Sequence, residues 1–234
     1  MLGLGLSLTK TDFTGFDPTN LSSLLHWYKF NTGITVASVG GDDNAVTAWS
    51  DSKGSNNTAP AITNNKDKMP QLQSDGTIKF QSTVDDFVFS SALTLGTFAI
   101  YFKIKWDESD TVSSHDLMDD AGSSHFLKLA SPTEARIKIN GSRHDFAIDE
   151  IVEGQDFIVG FERKSNGDME VYKDNIKASA NDGDSLNIAT STTIGISRMG
   201  IPTNISFWYE VIICNDSLSA SDRNELYNYL LSVG

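Results

Sequence analysis

The chain has little cysteine, little proline and few basic residues, and each shortage excludes a class of protein. A single cysteine, Cys214, excludes an internal disulfide framework, and its apolar surroundings predict a buried thiol. Five prolines and 18 glycines are too few for a fibrous or wholly disordered chain. The 31 acidic residues outnumber 18 basic ones, and the net charge of −13 repels nucleic-acid phosphates and anionic membranes. We therefore expect no nucleic acid and no membrane as partners.

Targeting signals are missing as well. No basic segment is followed by a long apolar run at the N-terminus, and no stretch approaches the ~20 apolar residues of a membrane span. Leu2 occupies the position at which N-myristoylation requires glycine. The sequence thus predicts synthesis in a cytoplasm without a signal peptide.

What the chain does contain is a dense series of strand signals. From residue 71 onward, short runs rich in β-branched and aromatic residues are separated by Gly, Asn, Asp and Ser turns, which is typical of an all-β sandwich. In residues 97–106, alternation predicts one common face for Phe98, Ile100, Phe102 and Ile104. All-β chains of this length are routinely single domains. The predicted fold class is all-β, an antiparallel β-sandwich.

The last quarter of the chain combines one apolar strand with one amphipathic helix. Residues 205–216 are predicted as the strand and residues 217–231 as the helix. Ser219, followed three residues later by Asp222, is an N-cap signature. Apolar side chains then recur at the spacing of one helix face, namely Leu226, Tyr229, Leu230 and Val233. We expect this face to pack on the sandwich.

The first 20 residues differ in composition from the rest of the chain. They predict an extended arm ahead of a domain at residues 21–234. Leucine and glycine alternate there without helical periodicity. Leu2, Leu4, Leu6 and Leu8 could line one face of a strand added to a neighbouring subunit, which would make them assembly residues. The alternative is a frayed terminus.

Four stretches in combination resemble the concanavalin A-like lectin/glucanase jelly roll, specifically its laminin G-like branch. Residues 25–30 match the opening strand, and residues 46–54 resemble the family's W-x-D-x-S/K-G turn. Residues 169–175 are similar to its v-Y-v-N-G hairpin, with Asp174-Asn175 in place of the usual Asn-Gly. Residues 208–213 and the following helix match the closing segment. The resemblance implies a jelly roll with a short C-terminal helix.

Modules with this fold, a Leu/Gly-rich start and no secretion signal are similar to virion proteins of tailed phages. This analogy predicts a non-enzymatic structural component of a virion, as a capsid decoration, tail or fibre protein. Its partners would then be other virion proteins or further copies of itself. The alternative is a carbohydrate-binding module for host-surface glycans, with or without Ca²⁺. A third hypothesis is a glycoside hydrolase or lyase with an unusual site.

Catalytic motifs are absent from the sequence. Glucanases of the superfamily carry Glu-x-Asp-x-x-Glu on one strand, which aims a nucleophile and an acid into one cleft. No such string occurs here, and the carboxylates of residues 149–153 differ in order and spacing. The four histidines lack HExxH spacing, and no Gly-x-Ser-x-Gly elbow is present, so we expect structural histidines and no enzymatic activity.

One loop is a candidate metal site. Asp116, Asp119 and Asp120, followed by Gly122 and Ser123, could supply hard oxygen ligands for Ca²⁺. The loop lacks the D-x-D-x-D-G pattern of an EF-hand, and acidic hairpin tips are also common solvent-facing turns. A solvated turn without metal is the alternative.

The four tryptophans are candidates for stacking on sugars. Trp27, Trp49, Trp106 and Trp208 all lie in or beside strands, where core packing is the alternative role. Trp106 stands at a strand end ahead of acidic residues 107–110. It is therefore the predicted exposed residue for carbohydrate binding.

Overall fold

The computed structural model describes residues 15–81, 84–109, 112–181, 187–201 and 204–234. Within these ranges the chain forms eighteen strands, one α-helix and two short 3₁₀ turns at Pro18–Asn20 and Lys66–Lys68. The strands and the helix, in chain order, are β1 (Leu24–Tyr28), β2 (Ile34–Val39), β3 (Asp42–Trp49), β4 (Thr58–Pro60), β5 (Gln71–Leu72), β6 (Ile78–Phe80), β7 (Phe87–Leu95), β8 (Phe98–Trp106), β9 (His115–Asp119), β10 (Phe126–Ser131), β11 (Glu134–Ile139), β12 (Ser142–Ala147), β13 (Asp156–Arg163), β14 (Met169–Lys173), β15 (Ile176–Lys177), β16 (Ser179–Ala180), β17 (Ile194–Ile201), β18 (Ser206–Cys214) and α1 (Ala220–Ser232).

The strands pair antiparallel in two stacked layers. The smaller layer has the order β14–β13–β8–β18–β1. The larger layer has the order β3–β4–β7–β17–β9–β10–β11–β12. Along one side, β5 and β6 connect β3 to β18 and so join the layers. This arrangement confirms the predicted all-β antiparallel sandwich.

The main hydrophobic core lies between the two layers. The alternating residues of β8 that were predicted to share a face all point into it, and each is fully buried. The core also contains Trp49 and Trp208 with no exposed surface. Because alternate residues of a strand face opposite sides, this one pattern fixes which face of β8 is internal.

The expectation that Trp106 is exposed is wrong. Its side chain has 0% exposed surface, because it continues the inward alternation that begins at Phe98. The indole packs edge-on against His115, with ring centroids 4.5 Å apart. A strand end is therefore still core here, and Trp106 offers no face to a sugar.

Helix α1 covers the outer face of the smaller layer. Its N-cap is Ser219, whose Oγ accepts a hydrogen bond from the backbone N–H of Asp222 at 3.1 Å, as predicted. Leu226 and Leu230 are fully buried in a second hydrophobic cluster beneath the helix. Cys214 belongs to that cluster, and burial raises the pKa of its thiol to about 12. The central strand β8 is consequently buried on both faces.

The described chain begins against this covered face. Phe16 contacts Tyr229 of α1 edge-on, with ring centroids 6.3 Å apart. Leu2, Leu4, Leu6 and Leu8, the predicted assembly residues, lie outside the described residues. Helix α1 has 13 residues, and the described part of the chain holds no helix long and apolar enough to span a membrane.

Candidate functional site

We call the outer side of β7, β17, β9, β10, β11 and β12 the open face, since α1 covers the other layer. Two of its carboxylates are bound by one guanidinium. Arg198 places Nε and Nη2 at 2.8 and 2.7 Å from the Asp119 oxygens, and Nη1 at 3.1 Å from Asp86. Burial raises the pKa of Asp86, although Arg198 opposes the shift. Arg198 therefore occupies the side of Asp119 that a metal ion would need.

The other two predicted calcium ligands are also engaged. Lys128 Nζ lies 3.1 Å from the Asp116 carboxylate. Asp120 accepts a hydrogen bond from the backbone N–H of Gly122 at 2.9 Å. Across the described residues, no three His, Cys, Asp or Glu side chains form a group that could hold a metal ion. Basic side chains of neighbouring strands therefore pair with two of the three predicted calcium ligands, Asp116 and Asp119, and the described residues do not assemble the site.

The rest of the open face is charge-compensated in the same way. Arg136 Nε lies 2.6 Å from Asp145, and its Nη2 lies 2.7 Å from Glu134. Arg143 adds a second contact to Asp145 at 3.1 Å. The face thus presents matched ion pairs rather than a free pair of acids.

A pocket of about 280 Å³ lies between β1, the loop at residues 51–57 and β7, and we call it the edge pocket. Strand β4 pairs only with Phe87–Phe89, so the remainder of β7 has a partner strand on one side alone in the described structure. The pocket occupies the space beside that open strand edge. Its lining residues are Leu25, His26, Ser55, Asn56, Ser91, Ala92, Leu93, Thr94 and Leu95.

Asp51 organises the wall of the edge pocket. Its carboxylate accepts hydrogen bonds from the backbone N–H groups of Trp27 at 2.9 Å, Lys53 at 3.0 Å and Asn56 at 3.3 Å. Its Oδ2 also lies 2.7 Å from Nδ1 of His26. Burial would raise the pKa of the Asp51 carboxyl, but the hydrogen bond from His26 and three backbone N–H donors hold it well below its usual range.

This contact fixes the tautomer of His26. An ionised carboxylate only accepts hydrogen bonds, so the proton between the two groups must reside on Nδ1 of His26. In the neutral imidazole, Nε2 is then a hydrogen-bond acceptor. The His26 side chain is 12% exposed while that of Asp51 is fully buried. Asp51 therefore has no surface in the pocket and only positions His26, and His26 is the residue of the pair that a ligand can contact.

Asn56 fastens the same loop to β7. Its amide donates to the carbonyl of Ser91 at 2.9 Å and accepts from the Ser91 N–H at 2.8 Å, which imitates a strand pairing. The Asn56 carbonyl accepts a hydrogen bond from the Tyr28 hydroxyl. The pocket wall is thus held at both ends by buried polar contacts.

Gly54 is the residue that lets the loop pass so close to this pair. A Cβ at that position would lie 2.7 Å from Asp51 Oδ2 and 3.3 Å from His26 Nδ1. Both distances are too short for ordinary carbon contacts. The glycine of the W-x-D-x-S/K-G turn is therefore required by the Asp51–His26 contact.

The arrangement can bind but lacks the parts of a nucleophilic site. The only side-chain hydrogen bond of His26 in the described structure is to Asp51, and no serine hydroxyl is attached to it. A hydroxyl nucleophile needs a base within about 3.2 Å, which this dyad does not supply. What the pocket does offer is an imidazole acceptor, several hydroxyls and leucine side chains.

This site was not predicted from the sequence, since every histidine was expected to be structural. His115 and His144 are buried as expected, yet neither ring nitrogen of either residue has a hydrogen-bond partner. His26 is instead part of a surface pocket. The signal that could have found it is the turn at residues 46–54, whose aspartate and glycine hold the histidine in place.

The region around Trp106 contains a separate cavity of about 280 Å³, lined also by Lys105, Asp107, Glu108, Gly154 and Phe207. The Lys105 ammonium lies over the Phe207 ring, 4.9 Å from its centroid. The Phe207 face is therefore already occupied, and the Trp106 side chain is buried. Neither ring forms a sugar platform.

Comparison with known proteins identifies the fold but no family. No protein-family model matches the chain, and no curated protein sequence matches it. Trypanosoma rangeli sialidase in complex with sialic acid aligns with a TM-score of 0.55 and 13% identity, over 88% of this chain and 32% of that one. The binding domain of Paraclostridial Mosquitocidal Protein 1 aligns with a TM-score of 0.56 and 14% identity, over 80% and 52%.

A third structure, described as a receptor binding domain, aligns with a TM-score of 0.51 and 19% identity, over 86% of this chain and 52% of that one. The chain therefore spans about a third of the sialidase and about half of the two binding domains. At these identities the likeness concerns the fold. The chain has an antiparallel β-sandwich fold that also occurs in these sialidase and binding-domain structures.

Proposed function

We propose that the protein is a non-enzymatic recognition module built on a lectin-like, laminin G-like β-sandwich, and that the edge pocket holds part of a glycan. The observation that carries the proposal is the Asp51–His26 contact. It holds the imidazole by Nδ1 and leaves the second ring nitrogen of His26 for a ligand, at a pocket lined also by hydroxyls and leucines. Small-molecule sites combine apolar walls with a few placed polar groups in this manner.

The state of the acidic residues supports a binding role over hydrolysis. Glycosidases of the usual two-acid type need two carboxyl groups on either side of a scissile bond, one of them free to donate a proton. On the open face, Asp86 and Asp119 share Arg198, and Asp145 is bound by Arg136. Each of these carboxylates is therefore bound by an arginine side chain rather than left to face a scissile bond.

The comparisons support recognition as the role of this fold. Two of the similar structures are described as a binding domain and a receptor binding domain, and the third is a sialidase bound to sialic acid. The part of the sialidase that this chain resembles is about a third of that enzyme. Function resides in sites rather than in folds, so this support is one of analogy.

A glycan array probed with the full chain tests the proposal. We expect binding to a subset of glycans, and a loss of at least ~10-fold in affinity for His26→Ala, since one well-made polar contact accounts for about 1.4 kcal/mol. His125→Ala is the matched control, because His125 lies outside the edge pocket. A chelator should leave binding unchanged. Silence across the array, or equal loss in both variants, contradicts the proposal.

A second proposed role is that of a structural virion component of a tailed phage, as a capsid decoration, tail or fibre protein. It is supported by the laminin G-like resemblance and by the alternating leucines of residues 2–8. Sedimentation of the full chain, and of a chain without residues 1–14, with purified phage particles tests it. We expect only the full chain to associate with particles or with itself. A partner-free monomer at high concentration would argue against this role, and glycan binding is compatible with it.

A further inference from the structure

We infer that the edge pocket selects an uncharged sugar over an acidic one. The inference rests on the proposed function, because it names the ligand class of the same pocket. It follows from the charges around the pocket, from the occupied state of Asp51 and from the hydrogen-bonding types that remain free.

No lysine, arginine, aspartate or glutamate belongs to the lining of the edge pocket. An acidic sugar bound there would lose water around its carboxylate without gaining a cation in exchange. Burying an ionised group without a partner costs several kcal/mol in proteins. The pocket lining therefore disfavours sugars that carry a carboxylate or sulfate.

The charge behind the wall acts in the same direction. The Asp51 carboxylate is fully buried directly behind His26, 2.7 Å from the ring, and no lysine or arginine side chain is among its hydrogen-bond donors in the described structure. The whole chain adds a net charge of −13. Both fields repel an anionic ligand.

A ligand that carries an ammonium group gains no ion pair with Asp51 either. The two carboxylate oxygens already accept hydrogen bonds from His26, from the backbone N–H of Trp27 and from further N–H groups of the loop. An ammonium group in the pocket would meet His26 first, and the imidazole separates it from the carboxylate. The geometry thus favours a neutral ligand over both kinds of ion.

The free groups of the lining fit a neutral polyol. Nε2 of His26 accepts from a sugar hydroxyl, while the hydroxyls of Ser55, Ser91 and Thr94 can donate or accept. Leu25, which is half-buried, and the exposed Ala92 supply apolar surface for the C–H side of a ring. The volume of about 280 Å³ is slightly below the range of about 300–1,000 Å³ typical of drug-sized ligands, so one sugar unit is the matching size.

Matched glycan pairs that differ only by a terminal sialic acid test the inference on the full-length protein. We expect the neutral member of each recognised pair to bind at least ~10-fold more tightly. We also expect its affinity to stay constant as NaCl rises from about 50 to about 500 mM, since no ion pair forms. In an NMR titration of the ¹⁵N-labelled protein, adding the neutral glycan that binds should shift the Nε2 resonance of His26.

The outcomes separate this inference from the proposed function. Tighter binding of the sialylated members, or affinity that falls steeply with salt, overturns the neutral-sugar inference and leaves glycan binding intact. Binding that survives both His26→Ala and His26→Phe places the sugar elsewhere and also overturns it. No binding to any glycan overturns the proposed function itself.

Discussion

Two buried carboxylates, one beneath helix α1 and one beside the edge pocket, are stabilised in opposite ways. Glu162 is fully buried under the helix, and Arg223 binds it with Nε at 2.8 Å and Nη2 at 3.1 Å. The hydroxyl of Tyr101 completes the site at 2.5 Å. Asp51 is equally buried, but its donors are backbone N–H groups and the imidazole of His26.

The difference shows which region has bonding capacity left for a ligand. Under α1, the carboxylate and the guanidinium satisfy each other, and the helix closes the site from solvent. Beside the edge pocket, Asp51 is satisfied, yet its partner His26 keeps a second ring nitrogen at the surface. Two equally buried acids therefore need not have the same role. What differs is whether the partner of the acid has a hydrogen-bonding atom left for a ligand.

The largest effect is expected from breaking the pair beneath the helix. Arg223→Met leaves Glu162 buried without its cation, and we expect the free energy of unfolding to fall by about 3–5 kcal/mol. Urea denaturation measures the loss. The double variant Arg223→Met, Glu162→Gln should recover part of it because the uncompensated charge is gone. A loss below ~1 kcal/mol in the single variant would contradict a structural role for the pair.

Removing the charge at the pocket should cost less and should depend on pH. Asp51→Asn is expected to lower the free energy of unfolding by about 2–3 kcal/mol at pH 7, because hydrogen bonds to a charged acceptor are lost. The pKa of Asp51 is lowered in the folded protein, so its contribution is present above its unfolded value near 4 and is lost as pH falls further.

The stability gap between wild type and Asp51→Asn should therefore shrink as the pH falls from about 5 toward 3. Chemical denaturation across that range measures it. Glu150→Gln is the control, since Glu150 is an exposed carboxylate in a loop. A gap that stays constant with pH would show that the aspartate is not held ionised by its donors.

A smaller change is expected from adding one methyl group to the loop. Gly54→Ala places a carbon 2.7 Å from Asp51 Oδ2, and we expect a loss of about 1–3 kcal/mol in the free energy of unfolding. Glycan affinity should fall with it, because the displaced group is the one that orients His26. Gly195→Ala is the matched control, since the nearest atom to its added carbon is 3.8 Å away. Thermal denaturation and glycan titration measure the two effects. Equal losses in Gly54→Ala and Gly195→Ala would contradict the close contact between Gly54 and Asp51.

The sequence predicted the elements that local signals determine. The helix starts at the predicted cap, Ser219, and the residues of β8 that were predicted to share a face are all buried in the core. The extent of β7, from Phe87 to Leu95, depends instead on its pairing with β17. Tertiary pairing of this kind has no local signature.

The edge pocket could not be predicted because it joins distant parts of the chain. His26 comes from β1, Asn56 from a loop and Ser91 from β7, and only the folded sandwich brings them together. The ion pairs of Asp116 and Asp119 could not be predicted for the same reason. Their cations, Lys128 and Arg198, come from other strands, and the sequence around β9 alone does not contain them.

The smallest effect is expected on the open face, where ion pairs are closest to solvent. Arg136 is 21% exposed and bridges Glu134 and Asp145, yet surface pairs contribute only about 0–1 kcal/mol each. We expect Arg136→Met to change the free energy of unfolding by at most ~1 kcal/mol, and less at about 1 M NaCl than at low salt. Glycan affinity should not change. If Arg136→Met proved as damaging as Arg223→Met, helix cover would not be what separates the two regions, and the open face would have to be treated as a second structural core.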